Sequence, residues 1–163
     1  MQRNSFLPTY SNCIVCGQKE KNPASMNLRF RVTDDGVEVP FIPDARQEGF
    51  KGICHGGILC SLLDETIGWA VAVDSKQFFM TMELNVRFVA SLPIGTKVIV
   101  RGRVAEHKSK LSLAEGEIVD KDGKIYAKAK GKFYRLPKEK AADINKYLTF
   151  MDEDIDILAE KNK

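Results

Sequence analysis

The strongest constraint on the fold of this chain is a change of hydrophobic period after one apolar helix. From Ile58 to Val71 the apolar residues recur at helical spacing, and from Met80 onward apolar and polar residues alternate. The alternation continues through four segments separated by short turns, near residues 80–88, 98–105, 111–119 and 125–134. Strands in such close succession favour an antiparallel sheet. A sheet that curls around the helix is the economical way to bury it.

Two further strands are predicted before the helix, at residues 28–32 and 37–42, and residues 46–54 are predicted to form a loop. The chain then divides into an irregular leader (1–27), one domain (28–136) and a helical C-terminal tail (137–163). On the last strand, odd-numbered residues are expected to face the helix and even-numbered ones, including Tyr126, to face away. Small residues on the inner face are expected to let the sheet approach the helix: Ala127, Ala129 and Gly131.

Composition excludes several classes of protein. The chain has 163 residues, 44% hydrophobic and 29% charged, which excludes a disordered or fibrous chain. A formal charge of +3 is too small to indicate a nucleic-acid partner. The most apolar run, residues 58–73, carries Asp64 and Glu65 at its middle and is too short to span a bilayer. The N-terminus lacks the apolar stretch of a signal peptide, so we expect a cytoplasmic protein with no membrane partner.

Four cysteines raise the question of a metal site. Cys13 and Cys16 have zinc-knuckle spacing, but the chain has no second Cys-x-x-Cys pair. A tetrahedral site would need Cys54, Cys60 or His55 to fold back and complete it. Reduced structural thiols are the favoured interpretation for an intracellular chain, and we expect no metal.

The start of the helix carries the most informative motif, His55-Gly56-Gly57, with Asp64 about two turns further on. Two glycines leave backbone N–H groups accessible at the positive end of the helix dipole, where they can hold a developing oxyanion. His55 could equally be an N-cap residue. A stripe of small or polar residues lies along the same face and must pack against a partner subunit or a ligand: Gly57, Ser61, Asp64 and Gly68. Asp64 and Glu65 point about 100° apart, so they cannot form a carboxylate pair within one chain.

These motifs resemble those of the PaaI-type acyl-CoA thioesterases of the hotdog-fold superfamily. The resemblance covers roughly residues 12–136 and includes Cys16-Gly17, Asn22-Pro23 and the run from Thr81 to Phe88. The leader is similar to that of thioesterase superfamily members 4 and 5. The resemblance implies an α+β hotdog fold, a curved antiparallel sheet wrapped around one long buried helix. It also implies a homodimer or dimer of dimers with active sites at the interface, and no cofactor beyond the CoA of the substrate.

The resemblance further implies roles for individual residues. Gly56 N–H would polarise the thioester carbonyl, with His55 shaping that loop. Asp64 would act as general base or nucleophile, and Thr81 would orient the attacking water from the neighbouring subunit. The substrate-binding residues would include Gly57 and Asn85. Gln47 is the only amide in the loop before His55, where some members place an Asn or Gln near the carbonyl.

The phosphates of CoA require cationic contacts, and two pairs of lysines are candidates. Lys130 and Lys132 share one face of the last strand, and Lys108 and Lys110 lie in the turn after His107. A solvated outer face is the default interpretation of the first pair.

Two other functions are weighed against acyl-CoA hydrolysis. A non-catalytic acyl-CoA-binding protein could keep the fold, but it would need neither Asp64 nor Thr81. A hotdog hydratase or dehydratase ranks third. The resemblance to that family would imply a different sequence around the histidine, whereas this chain has Gly56-Gly57 there.

Overall fold

The computed structural model describes residues 5–157 and contains a six-stranded antiparallel sheet curved around one long helix. The sheet order is β2-β3-β7-β8-β9-β6, with a two-stranded β1-β10 pair and a β4-β5 hairpin outside it. The elements in chain order are β1 (Thr9–Tyr10), β2 (Arg31–Val32), β3 (Val37–Phe41), β4 (Glu48–Phe50), β5 (Ile53–Cys54), α1 (Gly56–Ser75), β6 (Phe79–Phe88), β7 (Val98–Lys108), β8 (Leu111–Asp120), β9 (Ile125–Arg135), α2 (Lys138–Lys146) and β10 (Leu148–Thr149). The predicted architecture is therefore confirmed.

Helix α1 is the centre of the core. Its N-cap is His55, and it ends at Lys76, which adopts the left-handed conformation (φ 55°) common at helix C-termini. Ten of its residues are buried, among them Leu62, Leu63 and Ile67, which are fully enclosed. By length and composition this helix could cross a bilayer, but 56% of its most apolar 18-residue window is buried inside the fold. The core helix of a folded domain can be as apolar as a membrane-spanning helix, so composition does not distinguish the two.

The helix comes closest to the sheet at two paired glycines, Gly102 on β7 and Gly116 on β8. A Cβ at Gly102 would lie 2.8 Å from the carbonyl oxygen of Thr66, and one at Gly116 would lie 2.9 Å from the side chain of Ile67. The sequence analysis expected the close approach to the helix on β9 instead, and for Gly131 this expectation is wrong. That glycine makes room for the ring of Phe133, a residue of its own strand.

Strand β9 follows the predicted alternation except at Tyr126, which is buried rather than facing outward. The pairing of β8 with β9 shifts register between Ile118 and Val119, opposite this residue. Tyr126 then turns inward, and its hydroxyl donates to the carboxylate of Asp120 at 2.9 Å. The bulge breaks the two-residue period on which the prediction rested.

Residues 46–54 are more ordered than the predicted loop. A short 3₁₀ helix, Ala45–Gln47, leads into the β4-β5 hairpin. The His55 backbone N–H donates to the Gln47 carbonyl at 2.8 Å. This segment therefore fixes the entry of the chain into α1.

The C-terminal segment is helical only in α2, whereas the sequence predicted a helical tail. Strand β10 follows α2 and pairs with β1, with Thr149 opposite Thr9. Ile155, which belongs to the predicted helical tail, lies outside any helix, and its N–H donates to the Phe6 carbonyl at 3.0 Å. Leu158 and Ala159 of the same predicted tail lie outside the described residues. Backbone pairing with the leader replaces helix continuation here.

Strand β6 forms one edge of the main sheet. It pairs with β9 on one side, and among residues 5–157 no strand pairs with its other side. Three of its large apolar side chains are exposed: Met80 (59%), Met82 (63%) and Phe88 (54%). A long edge strand with exposed apolar side chains is a surface suited to pairing with another chain.

Candidate active site

The helix start leaves one backbone donor available. Nδ1 of His55 accepts a hydrogen bond from the Gly57 N–H at 2.9 Å, so His55 is the N-cap that the sequence allowed. Gly57, predicted to bind substrate, therefore has its N–H already engaged. Gly56 is the first residue of α1, where no intrahelical acceptor exists for its N–H. The donor predicted at Gly56 therefore lies at the positive end of the helix dipole.

Phe88 lies beside this donor, and the sequence analysis did not identify it as part of the site. A Cβ at Gly56 would lie 3.2 Å from the Phe88 ring. The exposed ring gives the helix start an apolar neighbour suited to an acyl chain. The opposite neighbour is the β4-β5 hairpin, where a Cβ at Gly49 would lie 3.0 Å from His55.

Asp64 is held by Thr81 of the same chain. The Thr81 hydroxyl donates to Asp64 Oδ1 at 2.8 Å, and both residues are half-buried. The resemblance implied that Thr81 would orient the attacking water from the neighbouring subunit, and that stays a prediction; the contact with Asp64 lies within one chain. A charge-assisted hydrogen bond of this kind orients the carboxylate.

A bulge in β6 is the reason that Thr81 reaches Asp64. The register of β6 against β9 shifts between Thr81 and Glu83. The sequence grouped Met80 and Met82 with Leu84 on one face. In the structure both methionines are exposed, whereas Thr81 and Leu84 are half-buried. Bulges commonly re-aim a side chain beside an active site, and this one turns Thr81 toward the helix.

The small-residue stripe of α1 is the face that its own sheet leaves partly uncovered. Gly57 is exposed, and Ser61, Asp64 and Gly68 are half-buried, in contrast to the enclosed Leu62 and Leu63. Cys60 borders the stripe, and its thiol pKa is raised by burial and by the charge of Asp64. This face can accept a ligand or a second protein surface.

Gly56 and Asp64 of one chain are too far apart to contact one thioester group. The rise of an α-helix is about 1.5 Å per residue, so positions 56 and 64 are about 12 Å apart along the axis. The donor must contact the carbonyl oxygen of the thioester, and the base must act at the carbon bonded to that oxygen. Both groups must therefore lie within hydrogen-bond reach of adjacent atoms. The two groups can serve one reaction only if they come from different chains.

Gln47 and Asn85 are not brought to Asp64. The Gln47 side-chain Oε1 accepts from the Asp44 N–H at 2.8 Å and thereby caps the 3₁₀ helix, while its backbone carbonyl positions His55. Asn85 is exposed on β6 opposite Lys130 and lines a concave surface together with charged side chains of β7, β8 and β9. Gln47 therefore contributes to the shape of the site, and Asn85 lies on the outer face of the sheet.

The candidate phosphate-binding lysines are exposed, one pair on the outer face of β9 and the other at the β7-β8 turn. Lys132 pairs with Glu83 at 2.6 Å, and Lys130 is exposed on the same outer face. Lys108 pairs with Glu106 at 3.1 Å, and Lys110 follows it in the β7-β8 turn. That turn is close to the C-terminal end of α1, because His107 Nε2 lies 2.6 Å from Asp74 Oδ2.

The same histidine forms an arrangement that resembles a catalytic triad. His107 Nδ1 lies 2.7 Å from the Ser112 hydroxyl, and its other ring nitrogen contacts Asp74. Ser112 is fully buried, however, so its hydroxyl cannot reach a substrate. The arrangement ties the β7-β8 turn to the end of α1.

Among residues 5–157, one group of three side chains has metal-ligand spacing: Cys13, Cys16 and Glu65. Neither Cys54 nor Cys60 joins it. Burial raises the pKa of the Cys54 thiol to about 11.

Comparison with known sequences identifies the family. The profile of the thioesterase superfamily matches residues 51–127, which include Gly56, Asp64 and Thr81. A Saccharolobus solfataricus protein named as a candidate esterase is 36% identical over 101 residues, which cover 61% of this chain and 70% of that protein. The chain belongs to the thioesterase superfamily. Membership supports the predicted activity of a thioester hydrolase.

A second relative is the mouse acyl-coenzyme A thioesterase THEM5, which is 29% identical over 100 residues. The match covers 61% of this chain but 40% of the mouse protein. This superfamily member therefore spans less than half the length of that relative.

Solved structures confirm the hotdog fold. The PaaI protein of the Escherichia coli phenylacetic acid degradation operon superimposes with a TM-score of 0.63 at 21% identity, covering 69% of this chain and 81% of PaaI. A Streptococcus mutans protein bound to acetyl CoA gives the same TM-score at 18% identity, covering 69% of this chain and 90% of that one. These two likenesses confirm the hotdog fold that the resemblance implied.

Proposed function

We propose that this protein hydrolyses acyl-CoA thioesters to a free carboxylic acid and CoA. The observation that carries the proposal is the hydrogen bond from Thr81 to Asp64. Asp64 lies on the partly uncovered face of α1, and the first residue of that helix is Gly56, whose N–H is available. The naming of THEM5 as an acyl-coenzyme A thioesterase and the acetyl CoA bound to the Streptococcus mutans protein support CoA as the carrier.

In this mechanism Asp64 acts on the thioester carbon and Gly56 acts on its oxygen. Asp64 either removes a proton from water as the water attacks, or attacks directly and is released by water afterwards. The Gly56 N–H stabilises the negative charge that develops on the carbonyl oxygen. The carbon–sulfur bond then breaks and CoA leaves as a thiolate, which takes its proton from solvent. Because a thiolate is a good leaving group, no dedicated acid is required.

The proposed active enzyme is a homodimer or a dimer of dimers. Since about 12 Å separates positions 56 and 64 along one helix, Gly56 of one subunit would serve Asp64 of the other. A twofold axis beside the uncovered stripe of α1 would create two such sites. The unpaired edge of β6 and the exposed Met80 and Met82 support sheet pairing across that axis.

The engagement of His55 favours hydrolysis over the hydratase alternative. Its Nδ1 accepts the Gly57 N–H, so the ring is held in place as the cap of α1. The half-buried, hydrogen-bonded carboxylate of Asp64 favours an enzyme over a passive binding protein.

Release of free thiol from acyl-CoA substrates tests the reaction. Chains from acetyl to stearoyl and an aromatic acyl group are compared for the wild type and Asp64→Ala. Turnover that is lost in a folded Asp64→Ala variant is expected, and the panel gives the acyl preference. Absence of turnover on every substrate would contradict the proposal and favour binding alone or a different thioester carrier.

Subunit complementation tests the shared site. Gly56→Pro removes the N–H at a helix position that tolerates proline, and the extended conformation of His55 (φ −64°, ψ 136°) suits a following proline. Each of the variants Gly56→Pro and Asp64→Ala is expected to be inactive alone. A mixed dimer has one site free of both changes and should recover about half of wild-type turnover. Inactive mixed dimers would contradict a site shared between subunits.

A further inference from the structure

The leader folds back onto α1 and brings two cysteines to a buried carboxylate. Cys13 Sγ lies 3.0 Å from Glu65 Oε2, although 52 residues separate them in sequence. One atom each of Cys13, Cys16 and Glu65 lie within 4.8 Å of one another. Cys16 is 1% exposed and the other two are half-buried, so the three groups form a compact cluster beneath the surface.

These spacings suit a tetrahedral cation. Zinc binds thiolate sulfur at about 2.3 Å and carboxylate oxygen at about 2.0–2.2 Å, which places neighbouring ligand atoms about 3.4–3.8 Å apart. In the cluster Cys13 Sγ and Glu65 Oε2 are 3.0 Å apart and all three ligand atoms lie within 4.8 Å of one another, so small side-chain movements would suffice to surround an ion. Two sulfurs and one oxygen are a donor set that zinc accepts and that magnesium or calcium does not favour.

The backbone around the cysteines donates one hydrogen bond to each sulfur. The Val15 N–H donates to Cys13 Sγ at 3.3 Å, and the Tyr10 N–H donates to Cys16 Sγ at 3.4 Å. The turn is closed by the Gly17 N–H, which donates to the Cys13 carbonyl at 3.0 Å. A side chain at Gly17 would overlap that carbonyl oxygen, so the turn requires glycine.

The turn is held from outside as well. The Ser25 hydroxyl donates to the Gly17 carbonyl at 2.7 Å and accepts from the Asn27 N–H at 2.9 Å. The Leu28 N–H donates to the Val15 carbonyl at 3.0 Å. These hydrogen bonds therefore fix the positions of the two thiols before a metal ion binds. Hydrogen bonds around metal ligands have the same role in known metal sites.

The carboxylate has no cationic side chain to balance it. Within residues 5–157, no Lys, Arg or His nitrogen lies within 4 Å of Glu65, although the Trp69 side chain hydrogen-bonds its carboxylate. A divalent cation bound by the two sulfurs would supply the carboxylate with a positive partner, which a disulfide would not do.

We propose that Cys13, Cys16 and Glu65 bind one Zn²⁺ ion, with water in the fourth position, and thereby fasten the leader to the helix that carries Asp64. This reverses our expectation of no metal. The sequence analysis sought the third ligand among the cysteines and His55, whereas the fold supplies Glu65. The proposal is independent of the acyl-CoA reaction.

Metal content of the purified full chain tests the proposal. After chelation and re-addition of zinc, elemental analysis should find one zinc per chain in the wild type and none in the Cys13→Ser/Cys16→Ser variant. Glu65→Gln should weaken zinc binding by about tenfold or more. Cys60→Ser is the matched control, because it removes a cysteine of α1 outside the cluster, and it should keep the full content.

Cobalt keeps the proposal testable if the double cysteine variant fails to fold. Co²⁺ added to the wild type should give tetrahedral d–d bands and a thiolate-to-cobalt charge-transfer band, and Glu65→Gln should alter them. Wild-type protein that takes up no stoichiometric zinc would overturn the proposal, whether mass analysis then shows thiols or a Cys13–Cys16 disulfide. Equal zinc in the wild type and the double cysteine variant would also overturn it. None of these readouts depends on turnover, so they stand apart from the test of hydrolysis.

Discussion

Asp64 and Glu65 are neighbours in sequence, but they lie in opposite surroundings. The Asp64 carboxylate is on the partly uncovered face of α1 and accepts a hydrogen bond from Thr81. Glu65 faces the leader, 3.0 Å from Cys13 Sγ, where burial raises its pKa to about 8. One residue turns an α-helix by about 100°, which is enough to separate the two carboxylates completely.

The difference shows how two neighbouring residues of one helix can have different roles, because they lie on different faces of it. The face with Asp64 is open to a substrate or a partner subunit, and a hydroxyl keeps the carboxylate oriented. The face with Glu65 is closed by residues far away in sequence, and the carboxylate joins two sulfurs. Helix geometry thus gives the proposed chemistry to Asp64 and the attachment of the leader to Glu65.

The largest expected effect comes from exchanging each carboxylate for its amide. Asp64→Asn should lower kcat by about 10²–10⁴-fold, because an amide can be neither base nor nucleophile. It should retain zinc and its melting temperature. Glu65→Gln should lose zinc affinity and melt at a lower temperature. Thiol release, metal analysis and thermal unfolding are measured on both variants, and a fall in zinc content in Asp64→Asn would break the separation.

A change at the helix start tests the open face without touching either carboxylate. Gly56→Pro should lower kcat by about 10²–10³-fold, the loss typical of an oxyanion donor. Gly56→Ala is the control, since it crowds Phe88 in the same way but keeps the N–H. Acyl-CoA turnover is measured for both, and equal losses would assign the effect to crowding instead of the donor.

The hydroxyl that orients Asp64 should have a smaller effect. Thr81→Val keeps the shape of the side chain and removes the donor, which should lower kcat by about 10- to 100-fold, the equivalent of a hydrogen bond to a charged group. Thr81→Ser should restore most of the rate. Kinetics of the two variants decide the matter, and a Ser variant as slow as the Val variant would point to packing of the methyl group.

Charge reversal at the lysines should have the smallest effect. Glu in place of Lys108 and Lys110, or of Lys130 and Lys132, should raise KM for acyl-CoA by up to about fivefold for the pair that contacts phosphate, because exposed charges interact weakly in water. The other pair serves as its control. If neither double variant changes KM, the phosphates are bound elsewhere.

Local features of the fold could be predicted from the sequence because they depend on backbone period. The change from helical spacing to alternation located α1 and the four long strands, and His55-Gly56-Gly57 located the helix start. The divergence of Asp64 and Glu65 also followed from helix geometry, and their contacts with Thr81 and Cys13 confirm it.

Errors occurred where strand pairing departs from a regular ladder. Bulges at Thr81 and opposite Tyr126 changed which side chains face inward, and nothing in the alternating pattern marks their positions. The tail was predicted to be helical from its apolar spacing, but Leu148 and Thr149 pair with the leader instead. Contacts between distant segments override local preference in such places.

The sequence by itself determined α1, the four long strands that follow it and the divergence of the two carboxylates by about 100°, because these follow from backbone geometry within a few residues. Only the tertiary structure decided which residues those carboxylates meet. Thr81 reaches Asp64 through a bulge, and Cys13 reaches Glu65 across 52 residues of chain. Such meetings depend on sheet register and on the path of the leader, and both are set by packing of the whole domain.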